Sequence, residues 1–252
     1  MPAPLPTSEA ARLDALRQCA VLDTAADEAF DCLTRLAAEI CNTPIALVSL
    51  VDAERQWFKS KVGVEASETP RAIAFCAHAI LQDDLFIVPD ALADERFAQN
   101  PLVTSDPGIR FYAGAPLITP DGHALGTLCV VDRVPRELDE QQRGALKALA
   151  RQVALQLEQR RTLKKLERAV QERQQAQQRL AAEYATARVL AEAATLKEAT
   201  PQILEAICTI LGWEHGALWG VDREAGLLRC VDRKSTRLNS SHIQKSRMPS
   251  SA

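Results

Sequence analysis

The sequence contains few aromatic residues, few glycines and no long apolar run. Phe, Trp and Tyr make up 4% of its 252 residues, so alanine and leucine must supply much of the core packing. Ten glycines leave little material for the glycine-rich loops that bind phosphates. The longest largely apolar run, residues 45–51, is far shorter than the roughly 20 residues that span a bilayer. We therefore expect neither a membrane-spanning segment nor a glycine-rich phosphate site.

Charge and cysteine usage argue against several further classes of protein. A formal net charge of −3 gives no electrostatic reason to expect nucleic acid or an anionic membrane as a partner. The seven cysteines are scattered, and none belongs to a Cys-x-x-Cys pair, which predicts reduced, buried thiols and no metal site. The first six residues lack the basic region and apolar stretch of a secretory signal. These features predict a cytoplasmic protein.

The first 160 residues alternate between helical and strand-like patterns. Helical periodicity follows Ser8 and again Asp27, which predicts two helices, the first with Ser8 as its N-cap. β-rich segments predict strands at 45–51, 56–62, 86–88, 111–118 and 124–131. A short helix is expected at 70–81, and a loop or short helical turns at 94–108. This order predicts an antiparallel sheet with helices on its faces.

The pattern from about Pro135 to Glu183 predicts one long helix that extends past the domain. Mainly apolar and uncharged residues repeat every seven positions at 149, 156, 163, 170 and 177, with a second set at 166, 173 and 180. Charged residues such as Lys164 and Glu167 avoid this seam, which favours a parallel dimeric coiled coil. A solvated helix without a partner is the alternative.

The remaining residues predict a second, incomplete domain and a tail of different character. One helix is expected with Thr200 as its N-cap and Pro201 at its first position, followed by strands at 215–221 and 227–231. Residues 232–252 have no hydrophobic period and look like the in-frame translation of a common sequencing adapter. We expect this tail to be non-biological; a disordered Ser/Arg-rich tail is the alternative.

The order and spacing of short motifs across residues 22–158 match one known family. These motifs include PIALVSLVD at 44–52, RQWFKS at 55–60, FCAH at 75–78, IRFYAGAPL at 109–117 and LGTLCVVD at 125–132. The segment resembles the GAF domain of bacterial sensor histidine kinases and diguanylate cyclases. The resemblance implies an α+β fold with a central antiparallel sheet of five to six strands. It also implies terminal helices on one face, a ligand pocket on the other and dimerisation through those helices.

Residues 184–231 resemble the first third of a second GAF domain. The predicted segments are an N-terminal tail and helix start (1–21), a GAF domain (22–158), a coiled-coil signalling helix (159–183), a truncated second GAF domain (184–231) and the tail (232–252). We interpret the chain as a sensory module that binds a small molecule of unknown identity and signals through a dimeric helix. Its output domain, a histidine kinase or a diguanylate cyclase, is expected to lie outside this sequence, which carries no catalytic motif of its own.

Nine residues are candidates for lining the ligand pocket: Trp57, Phe58, Phe75, Cys76, His78, Arg96, Arg110, Phe111 and Tyr112. Arginine and tyrosine side chains suit an anionic or polar ligand held beside aromatic walls. Structural alternatives exist, since Arg96 can pair with a nearby carboxylate. Trp57 and Phe58 are consecutive on one strand, so one of them is expected to face away from the core.

The sequence is also compatible with two other functions. The domain is a ligand-free dimerisation scaffold if aromatic side chains fill its pocket. It is a thiol-dependent methionine sulfoxide reductase if Cys76 and Cys129 meet, although the sequence alone does not bring them together. A covalent bilin is not expected, because Ala77 separates Cys76 from His78, whereas histidine directly follows the cysteine in bilin-binding relatives.

Overall fold

The computed structural model describes residues 3–222 and 226–235 and divides after Leu166 into two compact units. The helices are α1 (Glu9–Gln18), α2 (Glu28–Cys41), α3 (Phe75–Ala79), α4 (Pro101–Thr104), α5 (Glu140–Glu192) and α6 (Leu196–Leu211). The strands are β1 (Ile45–Val51), β2 (Arg55–Val62), β3 (Glu68–Pro70), β4 (Phe86–Val88), β5 (Phe111–Ile118), β6 (Ala124–Asp132), β7 (His215–Asp222) and β8 (Leu227–Ser235). Among the helices of residues 3–222, none is both long enough and apolar enough to cross a bilayer.

The first unit is built on one six-stranded sheet in the order β3-β2-β1-β6-β5-β4, and all neighbouring strands are antiparallel. The predicted α+β fold with five to six antiparallel strands is thus confirmed. The predicted strands agree with β1, β2, β4, β5 and β6 to within one residue at each end. The edge strand β3 was not predicted, because three residues are too few to show a period of two.

The helix expected at 70–81 is shorter than predicted and interrupted. Residues 71–73 form a single 3-10 turn, and Ala74 then adopts extended backbone angles (φ −78°, ψ 126°) before α3 begins. The extended residue breaks the helical hydrogen-bond ladder and separates the two short turns. As a result α3 has only five residues, and it packs against β6, β5 and β1.

Both faces of the sheet are covered, which explains why β1 is buried at every position. Alternation sends Ala46 and Val48 to the core under α1, α2 and the start of α5, which we call the helix face. Ile45 and Leu47 belong to the core under α3 and the loops, which we call the loop face. A strand buried on both sides carries a continuous apolar run.

The same double cover corrects the expectation for Trp57 and Phe58. These neighbours do point to opposite sides of β2, but neither faces away from a core. Trp57 packs into the helix face and Phe58 into the loop face, and their exposed fractions are only 7% and 8%. The prediction that one of them leaves the core is therefore wrong, because the sheet has a core on each side.

A buried ion-pair cluster fastens α1 to the sheet. Ser8 occupies the predicted N-cap position of α1 but makes no side-chain capping hydrogen bond. Glu9 accepts two hydrogen bonds of 2.8 Å from Arg12 and one of 2.5 Å from Arg71. Arg12 also donates to the carbonyl of Val51 at 2.7 Å and is only 2% exposed. Helix α2 follows Asp27, as predicted, and the Asp27 side chain caps it by accepting a hydrogen bond from the backbone N–H at position 29.

Helix α5 begins at Glu140, five residues later than predicted, and continues to Glu192. Its first five turns bury Leu146, Val153 and Leu157 against the helix face of the sheet. Further along, the apolar residues of the predicted seam are exposed: Leu163, Leu166, Val170 and Leu180 have exposed fractions between 48% and 65%.

The second unit contains α6 and the two-stranded sheet β7-β8. The predicted start of its helix is wrong: α6 begins at Leu196, because the side chain of Thr195 accepts a hydrogen bond from the N–H of Glu198. Thr200 and Pro201 consequently lie inside the helix. Strand β8 runs to Ser235, four residues into the predicted tail, and residues 236–252 lie outside the described part of the chain.

Candidate functional site

The structure distributes the nine predicted pocket residues over both faces of the sheet. Phe58, Phe75, Cys76 and Tyr112 belong to the loop-face core. Trp57 and Phe111 belong to the helix-face core instead. Only part of the candidate set can therefore line a loop-face pocket, since strand alternation places Trp57 opposite Phe58 and Phe111 opposite Tyr112.

Aromatic rings fill the loop face between α3 and β5. The ring of Phe97 stacks on that of Phe75 with centroids 4.0 Å apart, and Phe75 lies 5.2 Å from Tyr112. His78 meets the edge of Phe97 at 4.9 Å, and the Arg96 guanidinium lies 5.4 Å from the same ring. Phe97 is fully buried and was missing from the prediction, because a single aromatic residue in a loop shows no periodic signal. This part of the loop face is a packed core.

Nearby carboxylates engage both predicted ligand-binding arginines. Arg96 donates to Asp94 at 2.5 and 2.9 Å, as the structural alternative anticipated. Arg110 makes a similar two-point contact with Asp90 at 2.7 and 2.8 Å. The hydrogen bond from Arg110 lowers the pKa of Asp90, so this carboxylate stays ionised. Both guanidinium groups therefore fix the loop that precedes β5.

The fold brings Cys76 and Cys129 together. Their sulfur atoms are 3.8 Å apart, one on α3 and the other on β6, and both side chains are buried. The hydroxyl of Tyr112 donates to the Cys76 sulfur at 3.3 Å, and that of Thr127 donates at 3.1 Å. The sequence placed Cys129 on the side of β6 opposite Leu128, and this alternation is what directs it toward α3.

Hydrogen bonding makes Cys76 the more acidic of the two thiols. Burial alone raises the pKa of Cys76, but the hydrogen bonds from Cys129, Thr127 and Tyr112 favour the thiolate, and the net effect lowers the pKa below its usual value. The hydrogen bond to Cys76 and burial both raise the pKa of Cys129 well above its usual value. Elsewhere in the domain, burial raises the pKa of Cys41 to about 11.

A cavity of about 460 Å³ lies on the loop face beside the packed aromatic rings. Apolar side chains from β1, β2, β6, α4 and the loops form most of its wall: Ile45, Leu47, Phe58, Val64, Leu102, Ile109 and Val131. Glu65, Asp106 and Arg133 contribute charged groups. Of the nine predicted residues, only Phe58 lines this cavity.

Two residues that line the cavity each carry a buried side-chain oxygen without a hydrogen-bond partner. These oxygens are Oε1 of Gln56 and Oγ1 of Thr69, on the adjacent strands β2 and β3. Gln56 is 5% exposed. The sequence carried a signal for Gln56, since it lies two positions before Phe58 on β2 and alternation puts both on one face. Within residues 3–222 and 226–235, no three metal-binding side chains converge.

Comparison with known proteins identifies the domain. Residues 25–157 match the family model for the GAF domain. The chain belongs to the GAF domain family. The GAF domain thus includes the six-stranded sheet, the cysteine pair and the cavity described above, together with the first part of α5.

The GAF domain is similar to a cyclic di-GMP phosphodiesterase of Pseudomonas aeruginosa. The two are 47% identical over 133 residues, which make up 53% of this chain and 23% of that relative. The chain therefore spans about a quarter of the length of this curated relative.

Solved structures of GAF domains resemble this chain more distantly. The GAF domain of the PixJ protein from Thermosynechococcus elongatus is 18% identical, with a TM-score of 0.48; the likeness covers 64% of this chain and 96% of that one. The GAF domain of an Acinetobacter phosphoenolpyruvate-protein phosphotransferase is 17% identical, with a TM-score of 0.46. The likeness covers 59% of this chain and 93% of the Acinetobacter domain.

Proposed function

We propose that the GAF domain is the ligand-binding regulatory module of a bacterial signalling protein and that the cavity beside β2 is its ligand site. The unpartnered oxygens of Gln56 and Thr69 carry this proposal. A buried polar atom without a partner costs about 1–3 kcal/mol, and a bound molecule that donates a hydrogen bond to it removes that cost. The cavity volume of about 460 Å³ also lies within the usual range for small-molecule sites.

The cavity favours a small molecule with an apolar body and a hydrogen-bond donor. Its apolar wall, with Phe58 and Leu47 from neighbouring strands, suits a ring or a short aliphatic group. The donor, such as an amide or amine N–H, would face the carbonyl oxygen of Gln56.

The output of the signalling protein is proposed to act in cyclic di-GMP signalling. The Pseudomonas relative is a cyclic di-GMP phosphodiesterase, and the diguanylate cyclase expected from the sequence belongs to the same second-messenger system. This supports a cyclic di-GMP enzyme over a histidine kinase as the output. We assign a regulatory role to the present chain and the catalytic role to a domain outside it.

Helix α5 is the proposed route from the GAF domain to the output. It contributes Leu146 and Val153 to the core and exposes the seam residues from Leu163 onward. Exposed apolar residues at heptad spacing support pairing with a second copy in a parallel coiled coil. Polar seam residues, Gln156 and Arg173 among them, weaken the coil locally, which suits an element that changes register or rotation.

Ligand binding is tested first by native mass spectrometry on the full chain purified from bacterial cells. We expect the purified chain to carry the added mass of a bound small molecule, or to acquire such a mass when it is incubated with a panel of metabolites. Gln56→Leu keeps the size of the side chain and removes the hydrogen-bond acceptor. The affinity of this variant for the bound small molecule should therefore fall by about 5- to 150-fold, equivalent to about 1–3 kcal/mol. The matched control is Gln82→Leu on an exposed loop, which should bind normally. An unoccupied wild-type chain that binds nothing in the panel would favour the dimerisation scaffold.

Dimerisation is tested by sedimentation of seam variants. The double substitution Leu163→Glu with Val170→Glu places charges in the proposed seam, so we expect at least about a tenfold weaker dimer. The control, Lys165→Glu with Arg168→Glu, changes charge outside the seam and should leave most of the dimer intact. A wild-type chain that is monomeric at micromolar concentration would contradict the coiled-coil proposal.

A further inference from the structure

The proposed ligand site does not use the buried cysteine pair of the GAF domain. Cys76 and Cys129 are 53 residues apart in sequence, yet their sulfur atoms are separated by only 3.8 Å. Each of the other three buried cysteines, at positions 19, 41 and 208, lacks such a partner in the described part of the chain. Cys76 and Cys129 thus differ from ordinary buried thiols by having one another within reach.

The surroundings of Cys76 stabilise its thiolate. Two hydroxyl groups, from Tyr112 and Thr127, donate to its sulfur, and these hydroxyls lie within 3.5 Å of each other. A sulfur that receives several hydrogen bonds is stabilised in its anionic form, which is the nucleophile of thiol chemistry. These hydrogen bonds lower the pKa of the Cys76 thiol, which increases the fraction present as the reactive thiolate at neutral pH. Cys129, whose pKa is raised, keeps its proton.

We propose that Cys76 and Cys129 form a hydroperoxide-reactive dithiol that closes into an intramolecular disulfide between α3 and β6. The Cys76 thiolate attacks one oxygen of the hydroperoxide, and the O–O bond breaks. The leaving oxygen takes a proton and departs as water or an alcohol, and Cys76 becomes a sulfenic acid. The Cys129 thiol then attacks the Cys76 sulfur, the S–S bond forms, and the sulfenic oxygen leaves as water. Two thiols and one hydroperoxide thus give one disulfide, one water and one water or alcohol.

The burial of the pair selects a small oxidant. Cys76 and Cys129 are 1% and 0% exposed, so the oxidant must enter through a local opening of the fold. Hydrogen peroxide is small enough for a brief opening at the short helix α3, whereas free methionine sulfoxide needs a larger one. The proposed substrate class is therefore hydrogen peroxide and the smallest hydroperoxides.

The disulfide would act on the wall of the cavity. Cys129 lies directly opposite Leu47 in the β1–β6 register, and Leu47 lines the cavity. Closing the gap from 3.8 Å to a bond of about 2.05 Å must move α3 and β6 together within a densely packed core. Oxidation and ligand occupancy are consequently coupled through the loop-face core. The dithiol chemistry itself stands whether or not the cavity binds a ligand.

Oxidation is measured on the full chain carrying Cys32→Ser and Cys230→Ser, which remove the two exposed thiols. The reduced protein is treated with a small excess of hydrogen peroxide, unfolded in N-ethylmaleimide and analysed by intact mass and peptide mapping. We expect two fewer labelled cysteines than in the untreated protein, and a cross-linked peptide containing Cys76 and Cys129. Adding Cys41→Ser removes a buried thiol outside the pair and should leave the cross-link intact.

Two variants separate the roles of the cysteines. In Cys129→Ser, dimedone should trap a sulfenic acid at Cys76, because no second thiol resolves it. In Cys76→Ser, neither the cross-link nor a sulfenic acid at Cys129 is expected. Unfolding curves check that each variant remains folded, and the two different readouts distinguish loss of chemistry from loss of structure.

Thr127 provides a test that keeps both cysteines. Thr127→Val removes one hydrogen bond to the Cys76 thiolate, so the rate with hydrogen peroxide at pH 7 should fall by about threefold or more, and its pH profile should shift upward. Thr127→Ser keeps the hydroxyl group and should restore both the rate and the pH profile of the wild type.

Two results would overturn the proposal: full labelling of Cys76 and Cys129 after peroxide treatment, or oxidation confined to other cysteines. If Cys76 reacted equally fast with free methionine sulfoxide and with hydrogen peroxide, the pair would instead be assigned to a methionine sulfoxide reductase.

Discussion

Glu9→Ala is expected to lower the free energy of unfolding of the GAF domain by about 3–5 kcal/mol, because it leaves a buried charge without its partner. Arg12 is 2% exposed, and Glu9 is the carboxylate that holds its guanidinium. Arg71, also buried, loses the same partner. Urea unfolding at pH 7 measures the effect. Fluorescence of Trp57 reports on the GAF domain if the other two tryptophans, Trp213 and Trp219, are replaced by phenylalanine.

Glu28→Ala is the matched control for this prediction. Glu28 forms an ion pair with Arg35 on α2, but the two side chains are 80% and 51% exposed. Exposed pairs contribute about 0–1 kcal/mol, so this variant should unfold almost like the wild type. Equal losses of unfolding free energy in the two variants would show that burial does not increase the contribution of the Glu9 cluster to stability.

The stability of the Glu9 cluster should also depend on pH. Burial raises the pKa of Glu9, but hydrogen bonds from Arg12 and Arg71 outweigh it and lower the pKa from 4.5 to about 2. Between these values the unfolded chain binds a proton that the folded domain does not, so acid favours unfolding. The contribution of Glu9 is complete above about pH 4.5 and is lost as the pH falls toward 2. Glu9→Ala should flatten the pH dependence of the unfolding midpoint across this window.

Phe97→Ala should lower the free energy of unfolding by about 3–5 kcal/mol, as truncation of a fully buried aromatic ring does in other cores. The ring is 0% exposed and contacts Phe75, His78 and Phe86. Its removal leaves a void that the short helix α3 and the neighbouring rings fill only in part. The same tryptophan background and urea titration provide the measurement.

Leu92→Ala is the control from the same loop segment. Leu92 is 46% exposed, so its truncation should change the free energy of unfolding by less than about 1 kcal/mol. If Phe97→Ala were as mild, the loop that carries it would contribute little to the core, and the packed aromatic region of the loop face would need another explanation.

The sequence determined the family, the positions of five strands and the long helix. Each of these rests on local pattern: continuous or alternating β-rich runs such as residues 45–51, helical periodicity in α2 and α5, and motifs of fixed spacing. Local pattern was less reliable where it was brief, as in β3, or where a competing cap was present. Thr195 caps α6 in place of Thr200, and nothing in the pattern of apolar residues distinguished the two.

Only the tertiary structure decided which candidate residues share a site. The alternation of side chains along a strand predicted that Trp57 and Phe58 face opposite sides of β2. Both are buried because strand order and the covering elements place a core on each side of the sheet. The approach of Cys76 to Cys129 and the cavity beside Gln56 depend on the packing of α3 and the loops across the β1–β6 register. Such contacts join residues far apart in sequence, and their geometry is set by the register and packing of the whole sheet. No local pattern in a single sequence contains that information.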